Sequence, residues 1–178
     1  MKRFTNGVAA IGLVLLTATT IWAALPGGFP GARSYHYSLS VYLQNGMKIS
    51  QMLYNNVKDG DYNHMKAQRD AQDLMARLEY ARRDADSMDV SATPEELKAM
   101  KPYVDSLNTH LANISQDLKQ MDKELSNPTP DRQKMAEYAA DLYWQFKDAE
   151  MNDHKEIKEI RHINDMEEPP LPALIPRL

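Results

Sequence analysis

In this 178-residue chain, the side chains that could ligate a metal or move a proton are 5 His, 11 Met and 25 Asp plus Glu, with no Cys. The missing thiol removes disulfides, Cys-ligated zinc, iron–sulfur centres, thiol nucleophiles and covalent haem attachment together. Glu159-Ile-Arg-His162 has the Glu-x-x-His spacing of carboxylate-bridged di-metal bundles, and Asp61-Tyr-Asn-His64 is a looser version. Such centres need their ligands level with one another in a core, so the spacing alone decides nothing until the elements are placed. The methionines contain no Met-x-x-Met cluster and read as packing filler. A nucleophile elbow, a phosphate-binding glycine loop and His-Glu-x-x-His are all absent from the sequence. The expected sites are therefore none: no catalytic, cofactor-binding or metal residue is assigned, and the chain is expected not to be an enzyme.

The elements that must position these residues are helices. Leu97, Met100, Val104, Leu107, Leu111, Ile114, Leu118, Met121 and Leu125 alternate steps of 3 and 4, a coiled-coil period held through four heptads. A helix this polar on its remaining faces needs partners for its one apolar stripe. Three neighbouring segments supply them. Leu39, Tyr42, Gly46, Ile49 and Leu53 form one stripe, with Tyr35 before and Val57 after. Ala67, Ala71, Leu74, Leu78, Ala81, Ala85 and Met88 form a second, whose small residues permit a short interaxial distance. Met135, Ala139, Leu142, Phe146 and Ala149 form the last, widened by Tyr138, Tyr143 and Trp144. Beyond a polar gap at 150–156 it resumes weakly at Ile157, Ile160 and Ile163, which predicts a less buried extension.

Local chemistry marks the boundaries. The turn Lys58-Asp-Gly-Asp61 predicts that the first helix stops at Gly60 and that Asp61 caps the next. Thr93, Pro94 and Glu96 make a capping box with proline at the first helical position. Pro102 predicts a bend in the third helix or a start delayed beyond Lys101. Thr129 or Asp131 caps the fourth helix.

Four amphipathic helices joined by short connections fold back antiparallel. The expected fold is all-α: an N-terminal transmembrane helix followed by an up-down-up-down four-helix bundle, the alternative being an extended or intermolecular coiled coil. Residues 1–25 read as a membrane anchor or signal peptide, 26–33 as a Pro/Gly linker, 34–166 as the bundle and 167–178 as a Pro-rich extended tail. The run Phe4 to Ala32 is uncharged, its apolar centre spans residues 8–25, and Lys2 and Arg3 precede it. A retained anchor and a cleaved signal both place the remainder outside the cytoplasm under the positive-inside bias. All 25 acidic residues lie beyond that segment, so the rest of the chain is more acidic than the net charge of −4 and repels nucleic acid.

With that topology the histidines disperse. His64 falls at one end, His110 midway, and His36, His154 and His162 toward the other, which separates the two Glu-x-x-His-like fragments. Haem between Met47 or Met52 and His154 fails on the same count, since Met47 stands roughly 20 Å along the axis from the level of His154. His36 and His154 are the pair that antiparallel counting brings together, for bis-His haem, a metal ion or a polar cluster. The expected function is a non-catalytic, membrane-anchored extracytoplasmic scaffold or accessory subunit of a membrane complex. Its expected partners are lipid through residues 8–25 and one or more membrane or envelope proteins. The alternative is an extracytoplasmic sensor or ligand-binding bundle.

Overall fold

The computed structural model describes residues 32–58 and 60–163. Helices α1 (Ala32–Lys58), α2 (His64–Ser91), α3 (Pro94–Leu125) and α4 (Arg132–Ile163) make up the described chain, and no strand occurs among these residues. Each helix packs on its neighbours in sequence and α4 closes the ring by packing on α1, while α2 and α3 touch over less of their length. The result is an intramolecular four-helix bundle, which sets aside the extended or intermolecular coiled coil for these residues. The expected anchor at 8–25, the expected linker at 26–33 up to residue 31 and the tail at 167–178 lie outside the described residues, the last two linker residues, Ala32 and Arg33, open α1 instead, and no described helix is long and apolar enough to cross a membrane.

In the α3 stripe Met100 and every position from Leu107 to Leu125 are buried, and all seven positions of the α2 stripe are buried. Leu97, the first residue of the α3 stripe, is instead exposed and Val104 only partly covered, so the buried seam begins a turn later than its periodicity suggests. On α1 the core row is Leu39, Leu43, Gly46, Ser50, Leu53 and Val57. Tyr42 and Ile49 flank that row, so the helix is rotated by a fraction of a turn from the expected face. On α4 Trp144 points outward at 54 % exposure; of the expected less buried extension Ile157 and Ile160 are in the core and Ile163 is exposed, and Asn152, Asp153 and Glu156 of the expected polar gap are buried as well.

The helix ends show which local signals hold. Thr93 Oγ1 accepts from Glu96 N and the Glu96 carboxylate accepts from Thr93 N at 2.7 Å, closing the capping box. α3 starts at Pro94 despite Pro102, which lies on an exposed turn where the carbonyl left without a donor can reach water. Asp131 caps α4, its Oδ1 accepting from Gln133 N and Lys134 N. Asn63, and not Asp61, caps α2: its Oδ1 accepts from Lys66 N at 2.9 Å. The choice is made across the turn, because Asn56 on α1 donates to Asn63 O at 2.9 Å and accepts from Asn63 N at 3.1 Å. Arg132 then donates to Val57 O at 2.6 and 3.0 Å, tying the start of α4 to the last turn of α1.

Gly46 sets how closely α1 and α4 approach. A Cβ there would lie 2.5 Å from two ring carbons of Phe146, which is fully buried and has no room to withdraw. Gly46→Ala gains about 1 kcal/mol of helix propensity but overpacks the core by about 1–3 kcal/mol. A net loss of stability in urea denaturation is expected, and a Phe146→Leu background should remove most of the penalty. A stabilised Gly46→Ala protein would show that the two helices separate freely.

Candidate functional site

At the end of the bundle where α1 begins, polar groups from opposite ends of the described chain meet inside the core. Asp153 and Glu156 lie three residues apart on α4 and therefore share a face, and both are 0 % exposed. His36 Nδ1 on α1 lies 2.8 Å from Asp153 Oδ1. The His154 ring packs edge-to-face on the His36 ring, with centroids 5.5 Å apart and planes at 87°. Its Nδ1 lies 3.0 Å from the Glu150 backbone carbonyl oxygen and 3.4 Å from the Glu150 carboxylate, which also accepts from Gln44 of α1 at 3.0 Å. Asn152, buried beside them, donates to Asp148 O at 2.9 Å.

The electrostatics follow from burial. Asp153 Oδ2 and both carboxyl oxygens of Glu156 are enclosed with no hydrogen-bond partner. Loss of water, followed by the charges of Asp153 and of Asp89 on α2, pushes the Glu156 carboxyl up to about 9. Burial also raises Asp153, opposed by the hydrogen bond and charge of His36 and the charge of His154. A neutral Glu156 is the consequence at pH 7: its proton spares the core a second like charge beside Asp153. A milder case occurs between α3 and α4, where burial and then Asp141 push Asp117 up to about 6.

The other histidines are held apart. His64 Nδ1 meets the Tyr62 hydroxyl at 2.9 Å at the far end, His110 Nδ1 meets Gln145 Oε1 at 2.7 Å midway, and His162 is exposed. The Glu159–His162 and Asp61–His64 fragments are not brought together. Among the described residues no three of His, Asp or Glu are spaced to share one metal ion. His36 and His154 meet as antiparallel counting expects, but their edge contact leaves no slot for a porphyrin between the rings.

The buried acids were missed by the sequence reading, and a signal for them exists. Counting on from Phe146 and Ala149 by steps of 4, 3 and 4 reaches Asp153, Glu156 and Ile160, so the seam continues through the polar stretch instead of pausing there. A second feature of this end is an open groove of about 370 Å³ lined by Asp89 and Val90 of α2 with Leu97, Lys101, Val104 and Asp105 of α3. Val90 is 88 % and Leu97 38 % exposed, while Tyr37 and Val41 are exposed on α1 at the same end. Comparison of the chain with protein-family models, with curated proteins and with solved structures finds no match in any of the three.

Proposed function

We propose that the chain is a non-catalytic helical scaffold or accessory subunit of a membrane protein complex, held at the membrane through residues 8–25 with the bundle outside the cytoplasm. One observation carries the reading: at the end where α1 begins and α4 ends, the exposed Val90 and Leu97 line a groove, with Tyr37 and Val41 also exposed at that end. Scattered single apolar residues are ordinary on a surface, and the reading is supported here by Val90, Leu97 and Val104 sharing one groove beside Asp89, Lys101 and Asp105. The uncharged N-terminal run leads into that same end. The partner is accordingly an apolar segment of another membrane or envelope protein lying close to the bilayer. The tail sequence PPLPALIP at 169–176 sets leucines among prolines, a composition that favours extended backbone and so loses less entropy on docking than a flexible coil.

Affinity purification of the full chain in detergent from its native host is expected to recover a stoichiometric membrane protein. Deleting residues 169–178, or replacing Leu97 by aspartate, should lower that recovery while the thermal midpoint of the chain stays nearly unchanged. Protease added to intact spheroplasts should remove the bundle and leave a small membrane fragment. Recovery that ignores both changes, or a bundle protected until lysis, would sink the proposal.

A further inference from the structure

The groove between α2 and α3 is open because these two helices touch over less of their length than the other neighbouring pairs of the bundle. Its apolar side chains, Val90, Leu97 and Val104, lie at the end where α4 stops. A segment already tethered at that end can cover them at high effective concentration. Residues 164–178 continue from Ile163 beyond the described residues, and the four prolines of 169–176 favour extended backbone there. The reach suffices. Seven residues separate Ile163 from Leu171 and span roughly 20 Å when extended. α3 packs directly on α4, and the groove lies on the further side of α3, about 15 Å from the end of α4.

The periods match as well. In polyproline-type backbone, residues three apart return to one edge about 9 Å further on, so Leu171 and Leu174 share an edge. Leu97 and Val104, seven apart on α3, share a helix face about 10 Å apart. Two leucines therefore meet two apolar positions in a single register. Charge agrees with it: the groove holds Asp89 and Asp105 against Lys101, whose Nζ is already 3.0 Å from Asp105, whereas residues 169–178 carry Arg177 and no acidic side chain.

We propose that residues 169–176 seat in the α2–α3 groove of their own chain, Leu171 over Leu97 and Leu174 over Val104, with Arg177 one turn beyond, toward Asp105. Ile175 falls on another edge of the same backbone and faces outward. The seating is a property of the chain alone. Its consequence for assembly rests on the scaffold reading, in which tail and groove become one docking surface and not two.

The chain has no cysteine, so an introduced pair reports one distance. In the dilute full chain in detergent, Lys101→Cys with Ala173→Cys puts the two thiols midway between the leucine contacts, where a disulfide can close. Tyr37→Cys with Ala173→Cys is the comparison, because Tyr37 is 74 % exposed at the same end on α1, which also packs on α4, and a tail without a seat reaches both. Intrachain oxidation of the Lys101 pair should outrun that of the Tyr37 pair ~10-fold or more. Adding Leu97→Asp or Leu171→Asp should bring the two rates together. Equal rates without those changes, a Lys101 pair indifferent to Leu97→Asp, or disulfides formed only between separate chains would overturn the seating. On the scaffold reading, Leu97→Asp combined with deletion of 169–178 should lower recovery of the membrane protein no further than either change alone. Selective cross-linking with no co-purifying protein would keep the seating and sink the scaffold reading, and additive losses of recovery without selective cross-linking would do the reverse.

Discussion

Replacing Leu118 by alanine is expected to lower the unfolding free energy by about 2–5 kcal/mol, and Leu111→Ala should do the same. Both side chains are 2 % exposed in the centre of the α3 seam, where α4 packs along the helix and α2 lies on its other side. The loss has two parts, the transfer free energy of the deleted methyl groups and the cavity that a bundle of stiff helices cannot collapse to fill. Against a total of about 5–15 kcal/mol for a domain of this size it is a large fraction. Lys119→Ala, one residue on and exposed, should stay within about 0.5 kcal/mol. The check is urea denaturation followed by circular dichroism. Helical signal can outlast the loss of a cooperative transition in the leucine variants, so the midpoint and slope are the quantities to compare. Equal effects at Leu118 and Lys119 would refute the packed face of α3.

Glu156→Gln is expected to stabilise the bundle at neutral pH and to leave it nearly unchanged in acid. The carboxyl has both oxygens enclosed and unpartnered and is pushed up to about 9, against 4.5 for the free side chain. A raised pKa means that the folded chain holds a proton which the unfolded chain gives up. The favourable contribution is therefore complete below pH 4.5, declines as pH rises through the interval to 9, and is gone above it. Each unit of pH in that interval costs about 1.4 kcal/mol, so the sum by pH 7 is several kcal/mol. Glutamine copies the shape of the protonated acid and cannot ionise. Melts of both proteins should coincide near pH 4, and the variant should gain steadily up to pH 9. A constant gap across that range would show that the substitution acts through packing, and no gap at pH 7 would show that Glu156 is solvated. Asp153, raised by the same burial, should add to the loss of stability of the parent protein as pH rises.

Much of the architecture was legible residue by residue, and the reason is range. The α3 seam, the alanine face of α2, the capping box of Thr93 and Glu96 and the Asp131 cap all depend on neighbours within about four positions, so the spacing of side chains carries them directly. The level meeting of His36 and His154 followed from connection lengths, because short loops leave an antiparallel bundle few registers to choose from.

What only the tertiary structure decided involves a second helix in every case. The rotation of α1 turns on Phe146: its ring occupies the space over Gly46, which brings Leu43 and Ser50 into the core row and moves Tyr42 and Ile49 to its edge. The α2 cap went to Asn63 because Asn56 reaches it across the turn, a contact that ranking caps by type cannot foresee. Leu97 stays exposed because α2 and α3 touch over too little of their length to cover it, although its position in the heptad is correct. Asp153 and Glu156 are charged residues by type and core residues by position. Periodicity states which side of α4 they occupy, but their burial follows from the packing of α4 between α1 and α3, with His36 supplying Asp153 its partner and Glu156 retaining a proton instead.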